Sequence, residues 1–380
     1  MSLDFETLKV IWWLFIGLLF IGFAIMDGFD LGIGVMLPFI GRNDEERRVL
    51  LNVVGPTWEG NQVWFVTAAG ALFAAWPLVY ATVFSGFYFA LLLVLFTLFI
   101  RPVGFDYRSK LPDPRWRNAW DWGLFVAGVV PALVFGIAFG NLLQGVPFHF
   151  DGDLRSFYTG SFWQLLNPFG ILAGLVSLSM LVMHGSMYLQ LRTEGIIAER
   201  CKKAIFLSTS IFLVLFALAG LWVAFGLEGY RIVSIGDLGA APNPLGKVVE
   251  AESGAWLDNY STFPWLYRIP VMVMIMTFLT LLFSRIDRPG FGFICSSVTV
   301  AGVILTAGIS MYPFLLPSSS HPNSSLTIWD SSSSYMTLKV LFWATIVFLP
   351  IVIMYTSWVY RILRGKITVK TIRDNQHTAY

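Results

Sequence analysis

Charge is scarce in this chain: Asp, Glu, Lys and Arg make up 13% of its 380 residues, about half the share of an ordinary soluble domain. Cysteine is scarcer still. Cys201 and Cys295 stand far apart, near the ends of apolar stretches, so a disulfide framework is not expected. Only four histidines are present, His149, His184, His321 and His377, which limits any metal or haem role. The chain has no nucleotide-binding fingerprint, no phosphate-cradling glycine loop and no metal-ligand cluster. No clear internal repeat emerges; Val146-Pro147-Phe148 and Tyr312-Pro313-Phe314 are a faint echo of one. The first apolar stretch lacks a small-residue cleavage site after it and reads as a retained helix rather than a signal peptide.

What the chain has instead is apolar length. Hydrophobic residues reach 56%, with 34 Phe and 15 Trp, and the mean hydropathy is +0.70. Phenylalanine suits lipid-facing surfaces and tryptophan the interfacial belts. With roughly 20 apolar residues needed per crossing, nine spans are expected, at about 8–38, 51–73, 78–100, 122–143, 166–188, 204–226, 264–284, 291–313 and 336–358. The second is the weakest, because it opens with Pro56, Glu59, Asn61 and Gln62. The first is too long for one straight span, and Gly28, Gly32 and Gly34 are candidate points for a bend.

Basic residues sort these spans. With the N-terminus outside and the C-terminus inside, all but six of the 25 Lys and Arg fall on inside connections or the tail. The six are Lys9, Arg155, Arg231, Lys247, Arg268 and Lys339. The longer connections, about 144–165, 227–263 and 314–335, then face outward, and none is long enough for a domain of its own.

Glu59 is the most informative residue. It lies in Gly-Pro-Thr-Trp-Glu-Gly-Asn-Gln-Val-Trp at 55–64, at the head of an apolar segment, and a carboxyl there is costly. At 100° per residue Glu59, Gln62, Val63 and Val66 share one face, with Trp58 adjoining. Two readings fit: an acid that relays protons beside the amides of Asn61 and Gln62, or a helix-start acid favoured by the N-terminal dipole.

Other polar residues carry weaker signals. Asp27 and Asp30 are three apart on one helix face; they belong to a polar interior, bind a cation, or lie solvated at a bent helix end. Arg101 and Arg108 read as inside-boundary charges or, with Asp106, as an ion-paired loop tied to Asp27 or Asp30. Asn141 and Gln144 share a face near an outer helix end, either as interfacial polarity or as caps at a subunit contact. His184 is the one histidine inside a span; beside Gly185 and Ser186 it reads as a hydrogen-bonded packing residue rather than a haem ligand. His149, His321 and His377 fall in loops or the tail and suggest no site. Trp58, Trp64 and Trp76 read as packing or interfacial anchors, with Trp58 and Trp64 alternatively bordering a route for small apolar molecules.

These same motifs carry a family resemblance. Ile-Trp-Trp at 11–13, Asp-Gly-Phe-Asp-Leu-Gly at 27–32, Gly-Arg-Asn-Asp at 41–44 and Trp-Glu-Gly-Asn-Gln-Val-Trp at 58–64 resemble subunit II of the cytochrome bd-type quinol oxidases. Arg-Pro-Val-Gly-Phe-Asp-Tyr-Arg at 101–108, Phe-Gly-Asn-Leu-Leu-Gln-Gly-Val-Pro-Phe at 139–148 and Asn-Pro-Phe-Gly at 167–170 extend the likeness, which is densest in the first 150 residues.

The resemblance implies an all-α polytopic membrane protein of nine helices, two four-helix bundles plus one peripheral helix. The first bundle would span about 8–143, the second about 166–313 and the peripheral helix about 336–358, with a cytoplasmic tail at 359–380. It implies a haem-free subunit of a respiratory complex that oxidises quinol and reduces oxygen to water, building membrane potential by taking protons from inside. Two b-type haems and haem d, or a third b-type haem, would sit in subunit I. Implied partners are that subunit, small single-helix subunits, membrane lipid and a structural quinone, with no nucleic acid. The implied location is the bacterial inner membrane, N-terminus periplasmic and C-terminus cytoplasmic. The acid after Trp58 would head a proton route, and some members carry Asp where Glu59 stands. No complete active site is expected in this chain alone. The competing reading is a proton- or ion-coupled secondary transporter using Glu59, Asp27 and Asp30.

Overall fold

In the computed structural model the described residues are 3–374, so His377 and the end of the expected tail lie outside them. Among the described residues, eight helices are long and apolar enough to cross a membrane. They belong to α1 (Phe5–Ile40), α5 (Tyr88–Leu98) continued by α6 (Ile100–Tyr107), α7 (Pro114–Gln144), α8 (Pro168–Arg192), α9 (Gly195–Phe225), α11 (Arg268–Arg285), α12 (Pro289–Met311) and α13 (Tyr335–Ile362). The remaining helices are α2 (Asp44–Val54), α3 (Trp58–Ala75), α4 (Pro77–Gly86), α10 (Asp258–Thr262) and α14 (Val369–Asp374). The chain is an all-α polytopic membrane protein.

Two expectations need correction. The weak second span is α3, which has 18 residues and packs on α1; its polar first turn keeps it out of the eight. The third is not one rod but α4, α5 and α6, interrupted at Phe87 and Phe99. Pro102 has no N–H for the Leu98 carbonyl and its ring crowds that oxygen, which accounts for the second break. Conversely α1 runs unbroken through Gly28 and Gly32. Those glycines serve contact: a Cβ on Gly185 of α8 would lie 2.8 Å from the Phe29 carbonyl oxygen and the Ile33 nitrogen of α1. Small residues let membrane helices approach this closely.

Helix α1 is the shared post. It packs on α3, α7, α8 and α12; α7 also packs on α8, and α8, α9, α11 and α12 pack among themselves. Helix α13 lies outside, against α1 and α3, with Leu338 its one buried residue.

The long connections meet at one end of the molecule. Strands β1 (Phe148–Phe150) and β2 (Ser156–Tyr158), β3 (Glu228–Ile235) and β4 (Lys247–Ser253), and β5 (Phe314–Leu316) and β6 (Leu326–Thr327) form three antiparallel hairpins. The faint echo at Val146 and Tyr312 leads into the first and third of these, which join through a bridge from Val146 to Ser318. Lys9 donates from Nζ to the carbonyls of Leu238 and Trp329, each at 2.7 Å, pinning this end to α1.

Candidate functional site

Glu59 sits in the first turn of α3 on its exposed side, in line with Val63 (51% exposed) and Val66 (65%). The face expected from helical periodicity is therefore open, with Gln62 half-buried at its edge. Asn61 points the other way. It is buried, its Nδ2 donates to Asp30 Oδ2 at 2.8 Å, and its Oδ1 accepts the Tyr360 hydroxyl of α13 at 2.7 Å. One helical turn thus presents a carboxyl outward and an amide inward.

Behind Asn61 lies a buried charge cluster. Arg101 donates from Nη1 to Asp27 Oδ2 at 3.0 Å and from Nη2 to Asp27 Oδ1 at 2.7 Å. It also stands 3.8 Å from Asp30 Oδ2. Charges taken this far from water survive only when paired and hydrogen-bonded, and the planar guanidinium suits a two-bonded carboxylate. Trp58 is buried here, stacked on Phe105 at 5.4 Å with the Arg101 guanidinium over its ring at 5.5 Å. Asp30 Oδ1 is buried without a partner, and Asp30 and Arg101 border a void of about 20 Å³, room for one water.

Of the residues singled out in the sequence, Asp27, Asp30, Asn61, Trp58 and Arg101 come together. Asp106 is exposed and apart from them. Trp64 packs over Gly22 of α1, and Trp76 is fully buried, its indole donating to the Ile328 carbonyl at 3.3 Å. Asn141 bonds inward, donating to the carbonyls of Ile137 and Leu165 at 2.8 Å and accepting from Asn167, whose side chain caps α8. Gln144 offers its backbone carbonyl to Tyr230 at 3.2 Å.

Arg108 joins a second cluster at the end opposite the hairpins. Asp121, fully buried, accepts from Arg108 Nη2 at 3.0 Å and Arg47 Nη1 at 2.7 Å, and Asp44 receives Arg117 at 2.6 Å. Nearby Glu46 accepts from Arg200 and from the Arg42 backbone. Burial works to raise its carboxyl pKa, but those bonds outweigh it and hold the group below its ordinary value.

His184 does not fit a haem. Its ring is buried, with Nδ1 2.8 Å from Ser296 Oγ, Nε2 3.0 Å from the Ile25 carbonyl, and a face stacked on Phe293 at 4.9 Å. Both nitrogens are committed. Among the described residues no three His, Cys, Asp or Glu side chains converge to hold a metal.

Sequence reasoning missed three features. Tyr360 enters the Asn61 network from a helix 299 residues away, which no local pattern signals. Lys247 and Asp330 form a buried pair at 2.8 Å between the 227–263 and 314–335 connections. The third is a cavity of about 780 Å³ lined from α1, α3, α7, α8, α9, α11 and α12, walled by Phe20, Phe65, Phe139, Phe169 and Met180, with Ser177, Tyr267 and Ser310 among its few polar groups. Its signal was diffuse, since its phenylalanines look like any lipid-facing ones.

Comparison with known proteins follows this geometry. Residues 8–363 match a family model described as cytochrome bd terminal oxidase subunit II. Cytochrome bd-I ubiquinol oxidase subunit 2 of Escherichia coli (strain K12) is 53% identical over 378 residues, covering 100% of both chains. Cytochrome bd ubiquinol oxidase subunit 2 of Bacillus subtilis (strain 168) is 32% identical over 367 residues, covering 96% of this chain and 98% of that one. A chain in the solved structure of bd oxidase from Geobacillus thermodenitrificans superposes with a TM-score of 0.68 at 17% identity, covering 94% of this chain and 98% of that chain. That last likeness shows the fold.

Proposed function

Because this chain belongs to the cytochrome bd terminal oxidase subunit II family, we propose that it is the haem-free subunit of a respiratory quinol:oxygen oxidoreductase and that Glu59 heads a proton route. The observation that carries the reading is the outward Glu59, on an exposed face beside Val63 and Val66. An acid so placed stands ready to meet a second chain, and oxygen reduction in that chain consumes protons.

The haems belong to the complex and, on this reading, to subunit I: the committed nitrogens of His184 support that division. The buried Asp27–Arg101 fork and the Asp30–Asn61–Tyr360 chain then hold the head of α3 in place behind Glu59. The transporter reading finds no support. Asp27 is neutralised by Arg101 in a fork that leaves both its oxygens bonded within the protein.

We assign a structural quinone to the large cavity. Its volume falls in the range of small-molecule sites, and its phenylalanine walls suit an isoprenoid tail, with the hydroxyls of Ser177, Tyr267 and Ser310 for the head group. The first bundle is read as about 8–143, the second as 166–313, and α13 as the peripheral helix, where single-helix subunits and lipid have open surface. The bacterial inner membrane is the expected location. The charge cluster of Asp121, Arg108, Arg47 and Asp44 supports a cytoplasmic assignment for its end, leaving the N-terminus periplasmic.

Co-purification tests the assignment. Haem absorbance and quinol-dependent oxygen uptake are expected only when the chain is isolated with a haem-bearing partner. A chain purified alone that carries haem, or that moves a solute in vesicles, contradicts it.

A further inference from the structure

At the hairpin end, two histidines that sequence reasoning set aside meet across two loops. His149 belongs to β1, and His321 follows β5 in the 314–335 connection; their ring centroids are 4.8 Å apart at an interplanar angle of 41°. The His149 ring also stacks on Phe157, its cross-strand neighbour, at 5.3 Å. The Nδ1 atom of His149 is buried with no hydrogen-bond partner. An orphaned buried nitrogen asks for an explanation, an ion or a water among them.

The chemistry of His321 is set by its neighbour. Ser320 donates its hydroxyl proton to the Phe148 carbonyl at 3.1 Å, so the Ser320 oxygen is left to accept, and His321 Nδ1 stands 3.2 Å from it. His321 is then the Nδ1–H tautomer with a free lone pair on Nε2. This is the arrangement of a metal-ligating imidazole, whose second nitrogen donates to an orienting group. Two imidazoles bound cis to one ion, with metal–nitrogen bonds of about 2.0–2.1 Å, have centroids roughly 4.5–5 Å apart. The observed separation falls in that interval.

The frame is rigid enough to hold such a pair. Ser318 Oγ donates to the same Phe148 carbonyl at 2.5 Å and accepts the His321 backbone N–H at 3.1 Å. Val146 N–H donates to the Pro317 carbonyl at 3.0 Å and the Ser319 N–H to the Val146 carbonyl at 3.1 Å. Both histidine backbones are thereby fixed relative to each other before any ion arrives. His321 is exposed, so its side of the site opens to water, while His149 Nδ1 is buried.

We infer that His149 and His321 form a two-histidine site for a divalent transition metal of the zinc, nickel or copper class, completed by water and stapling the first hairpin to the 314–335 connection. Imidazole suits these ions, whereas calcium and magnesium prefer oxygen ligands. The site is separate from Glu59 and from the cavity, and does not depend on the assignment of either.

The test uses the purified oxidase complex, stripped of adventitious metal with a chelator and titrated with Cu²⁺ or Zn²⁺. Wild type is expected to show one Cu²⁺ spectrum with two coupled nitrogens by electron paramagnetic resonance. His321→Asn is expected to lose that signal and to lower Zn²⁺ stoichiometry by one in calorimetry, with haem absorbance unchanged. His149→Asn should match it; if that variant fails to assemble, the exposed His321 decides alone. Identical Cu²⁺ spectra and Zn²⁺ stoichiometry in wild type and His321→Asn would overturn the site and leave the pair as ring stacking only.

Discussion

Arg101 and Asp27 form a two-bonded ion pair inside the helix bundle, with both side chains almost wholly shielded, 5% and 1% exposed. Removing one member of such a pair strands the other charge, at a cost of about 3–5 kcal/mol. Arg101→Leu is therefore expected to lower the yield of haem-containing complex and its thermal midpoint. The double variant Arg101→Leu/Asp27→Leu should recover part of the loss, because Asp27 is then no longer stranded, while Asp30 still loses the cation 3.8 Å from its carboxyl. A double variant no better than the single would show that the fork contributes more than charge balance.

Tyr360→Phe deletes a single hydroxyl from the bond to Asn61 Oδ1. Leaving that buried amide oxygen unsatisfied costs about 1–3 kcal/mol. The expected result is a lower thermal midpoint for the complex. Trp358→Phe, at a position 62% exposed, serves as the control that should change little.

Acid should loosen the end that carries Glu46. Its folded-state pKa lies below the ordinary 4.5, so its contribution is fully present above that value and disappears as pH falls through the folded one. Glu46→Gln is expected to show a flatter stability profile below pH 4.5 than wild type, measured by thermal unfolding across a pH series. Profiles that superimpose would remove Glu46 from the account.

Lys247 and Asp330 pin the 227–263 and 314–335 connections together through a buried contact at 2.8 Å. Burial outweighs the mutual attraction in both, raising the Asp330 pKa and lowering that of Lys247. Each group is thus held in its charged form at some cost to stability. Lys247→Met and Asp330→Leu are each expected to destabilise, and the pair together to destabilise less than their sum. Strict additivity in thermal unfolding would mean the two do not act as a unit.

Much of this was legible before the structure. Apolar runs located the spans, and helical periodicity put Glu59, Val63 and Val66 on one face because 3.6 residues per turn is a local rule. A tie between the 101–108 loop and Asp27 or Asp30 was one of two readings of Arg101; Arg101 makes that tie and Asp106, expected to share in it, is exposed. The interruption at Phe99 had a visible signal in Pro102, which was not used, while the one at Phe87 had no proline to mark it. The Asn61–Tyr360 bond was not visible, because α13 lies against α3 through tertiary packing that no sequence spacing encodes. The glycines of α1 were legible as special, as candidate points for a bend; what sequence spacing did not show is the close approach of Gly28 and Gly32 to α8 and of Gly34 to α7.

The central claim rests on Glu59, and oxygen uptake measures it most directly. In the purified complex with quinol as donor, Glu59→Gln removes the ionisable carboxyl while keeping shape, and Glu59→Asp keeps the carboxyl while shortening the reach. The account predicts a large fall in uptake for Glu59→Gln with haem content unchanged, and substantial retained uptake for Glu59→Asp. Wild-type uptake in Glu59→Gln would contradict it and leave Glu59 as the acid that begins α3.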